Sequence, residues 1–104
     1  MDIRTIDGME FAELNEWQTE YILGASFGTH YISSLEVKQI RENVELEGRH
    51  GHELQAIRNS VVRLLADAGS TARTDGDWDT FDRLHNNMMA ITAVIDDKLW
   101  KEAV

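Results

Sequence analysis

The chain has 104 residues, no cysteine and a formal net charge of −9, from 19 acidic and 10 basic side chains. This length suits a single small domain, and the lack of cysteine excludes disulfides, thiolate zinc sites and a cysteine nucleophile. Because Lys and Arg bind phosphates, the acidic balance disfavours direct contact with nucleic acid or an anionic membrane. No apolar run approaches the roughly 20 residues of a membrane span, and no signal-peptide core is present. We therefore expect one cytoplasmic domain over residues 1–104.

The first segment with helical periodicity extends from about Gly8 to Leu23. Asp7, followed three residues later by Glu10, is typical of a capping box at a helix start. The apolar residues that then recur at helical spacing are Phe11, Leu14, Trp17 and Tyr21. Gly24 is placed to end this helix, because glycine readily adopts the left-handed conformation found at helix ends.

The second segment carries the clearest helix-start signature in the chain. Ser33 and Glu36 have the spacing of a capping box. Ile32 and Val37 have the spacing of the hydrophobic staple that accompanies such a box. The residues expected to face inward are Leu35, Ile40 and Val44. Gly48 is predicted to end the helix, although a single helix kinked at the glycines between segments two and three is an alternative.

The third segment extends from about Gly51 to Ala68 and is predicted to stop at Gly69. Its apolar stripe is formed by Leu54, Ile57, Val61, Leu65 and Ala68. The following residues, 69–76, are polar and small, and contain two glycines. Such a composition is typical of a connection between elements, so we predict a loop there.

The fourth segment starts after a predicted cap at Asp77 and continues almost to the C-terminus. Its apolar positions are Trp78, Phe81, Leu84, Met88, Ile91, Ile95 and Leu99. No part of the chain shows a useful alternation of polar and apolar residues. We therefore predict an all-α protein, a small four-helix bundle with the fourth helix the longest.

Residues 88–95 of the fourth helix are apolar on nearly every side, which is typical of a helix buried all round. This stretch lies either at the centre of the bundle or against a second copy of the chain. Three residues are the candidates for self-association: Met89, Ala93 and Val94. The sequence thus leaves open a homodimer formed through the fourth helix.

The acidic residues fall into two clusters. The first cluster lies on the first predicted helix and contains Glu10, Glu13, Glu16 and Glu20. The second surrounds the start of the fourth helix and contains Asp75, Asp77, Asp79 and Asp82. Carboxylates at a helix start stabilise it through the helix dipole, and a row of glutamates can be merely a solvated face. Our hypothesis is that both clusters lie outward together as one anionic, partner-binding patch.

The main functional prediction is a non-enzymatic interaction module without a cofactor. It is expected to bind the basic surface of a protein partner. The chain is similar, in its size, acidity and single domain, to charge-mimic inhibitors, among them several anti-CRISPR proteins of phages. That resemblance implies an inhibitor that occupies the basic surface of a nucleic-acid-handling complex. The alternative is a structural or assembly subunit that associates through the apolar fourth helix.

A metal-dependent all-α enzyme is a further alternative. Glu47 with His50, and Asp82 with His85, have the spacing of the carboxylate–histidine pairs of di-metal helical bundles. The motif 50–52, His-Gly-His, offers two imidazoles, for which the candidate third ligands are Glu47, Glu53 and His30. Neither pattern is complete, so we predict no metal site. The aromatic group Phe27, His30 and Tyr31 is expected to fold onto the core rather than form a contact patch.

Overall fold

The computed structural model describes residues 1–28 and 31–103. The order of elements is β1 (Ile3–Ile6), β2 (Met9–Ala12), α1 (Glu16–Gly24), α2 (Ser34–Asn43), α3 (Gly51–Thr74) and α4 (Trp78–Ala103). The prediction of four helices with the fourth the longest is confirmed over these residues. The all-α prediction is wrong, because a two-stranded antiparallel sheet precedes the helices. None of the described helices is both long enough and apolar enough to cross a bilayer.

A tight turn at Asp7 and Gly8 replaces the predicted start of the first helix. Both residues have positive φ, 51° and 81°, which is the conformation of the type I′ turn that Asp-Gly favours in hairpins. The strands pair in register around this turn, with Ile6 opposite Met9. The predicted capping box of Asp7 and Glu10 is therefore wrong, because hairpin pairing satisfies this backbone instead.

The hairpin is attached to the middle of α3. The Ser60 hydroxyl donates to the carbonyl of Ala12 at 2.6 Å, and the Asn59 amide donates to the carbonyl of Glu10 at 2.9 Å. The guanidinium of Arg63 lies over the ring of Phe11, 5.1 Å from its centroid, in cation–π geometry. The hairpin thus covers one side of α3.

Helix α1 starts later than predicted, with Asn15 as its N-cap. The Asn15 side chain accepts a hydrogen bond from the backbone of Gln18, and the Gln18 side chain accepts one from the backbone of Asn15, which makes a capping box. Gln18 is buried, and its Nε2 also donates to the carbonyl of Val44 at 2.9 Å. One side chain thus starts α1 and holds it against the end of α2.

Helix α2 starts as predicted and ends earlier. Ser33 and Glu36 form the predicted capping box, but the helix ends at Asn43 and is separate from α3. Glu45 adopts the left-handed conformation, with φ of 58°. The Leu46 amide bonds back to the carbonyl of Arg41 at 2.9 Å, as in a Schellman ending. The prediction that Gly48 ends the helix is therefore wrong.

The inward face of α2 is narrower than predicted. Ile40 and Val44 are fully buried as expected, and Leu46 after the helix is buried with them. Leu35, in contrast, is 64% exposed. Of the three residues predicted to face inward, only Leu35 therefore misses the core, because α2 contacts its neighbours mainly through its second half.

Helices α3 and α4 form a long antiparallel hairpin. The predicted loop over 69–76 is largely wrong, because α3 continues to Thr74. Gly69 is buried inside α3, and a side chain added there would meet the ring of Phe81 at 3.7 Å. The chain reverses at Gly76, with φ of 74°, and Asp77 then caps α4 as predicted, through hydrogen bonds to Thr80.

Polar side chains of α4 hold the C-terminal end of α1. Asn87 is fully buried and its Nδ2 donates to the carbonyls of Ile22 at 3.2 Å and Ala25 at 2.7 Å. Its Oδ1 accepts from the amide of Phe27 at 3.3 Å. Arg83 adds hydrogen bonds from Nη1 to the carbonyls of Leu23 and Ala25. The backbone at the end of α1, which has no helical partners, is thus satisfied by α4.

We predict that Asn87→Leu lowers the free energy of unfolding by about 2–4 kcal/mol. Leucine has a similar volume, but it removes the hydrogen bonds of Asn87 to the Phe27 amide and to the Ile22 and Ala25 carbonyls, of which only the Ala25 carbonyl keeps a bond from Arg83. Urea unfolding followed by circular dichroism measures the change. The control is Asn86→Leu, at the half-buried neighbouring position, for which we expect a change within about 0.5 kcal/mol. Equal losses in the two variants would contradict the role assigned to Asn87.

Candidate functional site

The eight acidic residues singled out in the sequence are all exposed, but Glu10 and Asp75 lie far apart. Glu10 lies on β2, where its carbonyl is bound by Asn59 near the middle of α3. Asp75 follows the far end of α3. At 1.5 Å per residue, the helix separates Asn59 from Asp75 by about 24 Å. Glu10 and Asp75 therefore do not share one surface, because α3 keeps them apart. A single anionic patch formed by the other members of the two clusters stays a prediction.

Part of each cluster is also engaged within the protein. Glu13 lies 3.9 Å from the guanidinium of Arg4. Asp77 accepts hydrogen bonds from the Thr80 hydroxyl at 2.6 Å and the Thr80 amide at 3.2 Å. These two bonds hold the pKa of Asp77 below its ordinary value, and the positive charge of Arg83 adds to the effect. The aspartate cluster thus serves, at least at Asp77, to start α4.

The structure gathers a different set of carboxylates around α1 and α2. Glu16 and Glu20 from the first predicted cluster are joined by Glu36 of α2 and Glu45, whose Oε2 accepts from the Asn15 side chain at 2.8 Å. Within residues 1–28 and 31–103, none of these four carboxylates has a Lys or Arg nitrogen within 4.0 Å. Four acidic groups without a Lys or Arg partner among these residues thus lie on or beside α1 and α2.

An open groove of about 510 Å³ lies between α1 and α2 at the same place. We call it the α1–α2 groove, and its lining includes Trp17, Glu20, Tyr21, Phe27, Glu36 and Gln39. Glu20 and Glu36 therefore line the groove together with three aromatic residues, Trp17, Tyr21 and Phe27. Such a surface attracts a Lys or Arg side chain both by charge and by cation–π contact.

The two aromatic residues of α1 are held in place from α2. Trp17 is 64% exposed, and its Nε1 donates to the Asn43 side chain at 3.2 Å. Tyr21 is half-buried. Burial raises the pKa of the Tyr21 phenol, a hydrogen bond with Asn43 lowers it and the charge of Glu36 raises it, with a net rise. The phenol therefore stays protonated at neutral pH beside the carboxylates.

Sequence reasoning missed Glu36, Glu45 and the exposure of Trp17. Glu36 was assigned to its capping box, which it also forms, and Trp17 was assigned to an apolar stripe facing the core. The signal that was available is Asn15 with Gln18, which is a second capping box and starts the helix later. A later start leaves α1 too short to bury all its aromatic residues. Nothing local indicated that Glu45 lies beside α1.

A second exposed surface lies on α4. Met89 is 61% exposed and Ala93 is exposed, whereas Val94 is 4% exposed and packs in the core. Val94 is therefore wrong as a self-association residue, and the apolar stretch 88–95 is buried on only part of its circumference. A shallow groove of about 710 Å³ runs beside Met89, and we call it the α4 groove.

The loop before α2 lines the other side of the α4 groove. Tyr31 and Ile32 contribute to this side, and Tyr31 is fully exposed. Phe27 is buried, so the prediction that it folds onto the core is confirmed, while the same prediction for Tyr31 is wrong. His30 lies outside the described residues.

The candidate metal ligands do not converge in the described part of the chain, where no group of three or more His, Asp or Glu is placed to hold an ion. His50 instead contacts Glu102 at 2.7 Å through Nδ1, and Glu102 also accepts from the Gly51 amide at 2.9 Å. The amide of Gly51, and secondly His50, lower the pKa of Glu102. This carboxylate therefore joins the end of α4 to the start of α3.

We predict that Asp77→Ala lowers the melting temperature at neutral pH, because the amide and hydroxyl of Thr80 lose their acceptor. The pKa of Asp77 is lower in the folded chain than its ordinary 3.8. Its stabilisation is therefore complete above that pH and is lost as the pH falls through the folded-state pKa. The difference in melting temperature should shrink in acid. Asp82→Ala is the control, and an equal effect there would contradict the prediction.

No family model, no curated protein and no solved structure matches this chain. Neither a fold relative nor a characterised homologue therefore bears on what it binds. The exposed chemistry of the α1–α2 groove and of α4 is the basis on which a function can be assigned.

Proposed function

We propose that this protein is a non-enzymatic interaction module that binds a basic surface of another protein through the α1–α2 groove. The observation that carries the proposal is the combination of an exposed Trp17 with four carboxylates that have no cationic partner among the described residues. A solubilising surface has no need of an exposed tryptophan, whereas binding interfaces are rich in them. Acidity and aromatic exposure at one place together favour binding.

The groove supplies both the attraction and the anchor that such binding needs. A net charge of −9 steers the chain toward a positive surface and accelerates encounter. Trp17 then offers a large apolar side chain of the type that dominates binding energy at interface centres. Glu20 and Glu36 at the groove can receive the ammonium or guanidinium groups that flank it.

The class of partner we propose is a protein whose basic surface holds nucleic acid. Such surfaces are lined with Lys and Arg for phosphate groups, and carboxylates spaced along α1 compete for the same cations. The chain would then act as an inhibitor by occupying the site in place of the phosphate backbone. The similarity in size and charge to charge-mimic inhibitors supports this class.

We predict that the triple variant Glu16→Gln, Glu20→Gln and Glu45→Gln, which we call the groove variant, loses affinity for the partner by about tenfold. Glu20 lines the groove and the other two lie on or beside α1, while Glu36 is left unchanged because it caps α2. Glutamine keeps the shape of each side chain but removes its charge, so the attraction to cations falls. The matched control replaces Asp75, Asp79 and Asp82 by Asn, which changes the net charge equally at the other cluster. Affinity capture from a native lysate should retain the same protein on wild type and control, but not on the groove variant.

The same capture experiment tests the chemistry of the contact. Raising the salt concentration should release the partner from wild type, because screening weakens charge attraction. Adding a nucleic-acid oligonucleotide should also release it if the basic surface is a nucleic-acid site. A partner held equally by the control and the groove variant would exclude the α1–α2 groove. Release by salt but not by oligonucleotide would exclude the nucleic-acid class.

We predict that Trp17→Ala weakens partner binding more than tenfold, as is typical of a tryptophan at the centre of an interface (about 2 kcal/mol or more). Leu35→Ala is the control, since Leu35 is also 64% exposed but does not line the α1–α2 groove. Isothermal titration with the captured partner measures both variants. Equal effects of the two substitutions would show that general apolar contact, rather than Trp17, supports binding.

A further inference from the structure

One face of α4 is exposed along almost its entire length. Its residues are three or four positions apart, which places them on one side of the helix. They are Trp78, Asp82, His85, Met89, Ala93, Asp96 and Trp100, and all seven are exposed. We call this the α4 stripe, and it is about 33 Å long at 1.5 Å per residue.

The α4 stripe is symmetric about Met89. His85 and Ala93 lie four residues before and after it, Asp82 and Asp96 seven, and Trp78 and Trp100 eleven. In a pair of antiparallel helices related by a two-fold axis, a residue before the axis meets the residue equally far after it. A two-fold axis at Met89 therefore places Trp78 of each copy beside Trp100 of the other, with the two Met89 side chains meeting at the centre.

We propose that the partner of the α4 stripe is a second copy of this chain, packed antiparallel with the two-fold axis at Met89. A self-complementary surface is what a two-fold dimer requires, and the two tryptophans at equal distances from Met89 meet that requirement. Trp78 is 57% exposed and Trp100 is 70% exposed. Each can bury its ring against the other across the dimer.

The ion pair between Arg58 and Asp96 favours the antiparallel arrangement over a parallel one. Asp82 of one copy falls beside Asp96 of the other, but Asp96 is already bound by Arg58, through Nε at 2.7 Å and Nη2 at 3.3 Å. Arg58 is partly exposed, so Asp82 of the second copy approaches an ion pair rather than an unpaired carboxylate. A parallel dimer would instead place Asp82 against Asp82, without Arg58 between them.

The α4 groove receives the centre of the interface. It is bounded by Met89 and Ala93 on one side and Tyr31 on the other, so a Met89 side chain from the second copy can enter it. Since an aromatic side chain buries about 150–250 Å², the two tryptophans, Met89 and Tyr31 together cover roughly 1,000 Å² over both copies. This is the size at which specific interfaces begin.

Sedimentation velocity over micromolar to millimolar concentrations tests the dimer. Wild type should shift toward twice its 11.9 kDa mass as concentration rises. Met89→Glu should raise the dissociation constant by at least about tenfold, because it places two like charges at the axis. Ala66→Glu adds the same charge at an exposed position of α3 and should dimerise like wild type. A monomeric mass for wild type at every concentration overturns the proposal.

Cysteine cross-linking tests the register, since the natural chain has no cysteine. Met89→Cys should form a disulfide dimer under mild oxidation. His85→Cys and Ala93→Cys should cross-link with each other when the two variants are mixed. Neither variant should cross-link with itself, because position 85 of one copy lies about 12 Å along the helix from position 85 of the other. Cross-links of each variant to itself would indicate a parallel dimer and contradict the proposal. Circular dichroism of every variant checks that the fold is kept.

Discussion

The buried amide of Asn87 is the interaction on which the rest of the arrangement depends. Helix α1 is short and ends inside the protein, where its free carbonyls need donors. Asn87 and Arg83 of α4 supply them, while Gln18 binds the end of α2 near the other end of α1. Side chains of α4 thus hold the C-terminal end of α1, and Gln18 of α1 holds its N-terminal end against α2. That double attachment sets the position of Trp17 and the width of the α1–α2 groove.

The two candidate surfaces differ in chemistry and lie on different elements. The α1–α2 groove combines carboxylates with an exposed tryptophan, which suits a basic partner. The α4 stripe has tryptophans at its ends and Met89 at its centre, which suits a second copy. In the proposed dimer each copy keeps its own groove, since no residue of the α4 stripe lines it. A dimer would therefore present two grooves, and a partner with repeated basic sites would bind it with higher avidity.

Several features followed from short-range chemistry and could be predicted. Ser33 with Glu36 and Asp77 with Thr80 each satisfy helix-start donors within three residues, so the local pattern is sufficient. The same principle applied to Asp7 failed, because Asp-Gly can start either a helix or a hairpin. The choice was made by contacts with α3, where Ser60 and Asn59 bind the strand β2. Gly69 similarly lies inside α3 rather than at its end, beside the ring of Phe81.

The sequence by itself determined the number of helices, the length of α4 and the acidic character of the surface, because periodicity, capping and charge are properties of neighbouring residues. Only the tertiary structure decided which acids lie together. Glu20 and Glu36 line one groove and Glu45 binds Asn15 through the packing of α1 on α2, while α3 separates Asp75 from Glu10. It also decided that Trp17 and Met89 are exposed. Which side of a helix faces solvent depends on partners that are distant along the chain, and no local pattern specifies them.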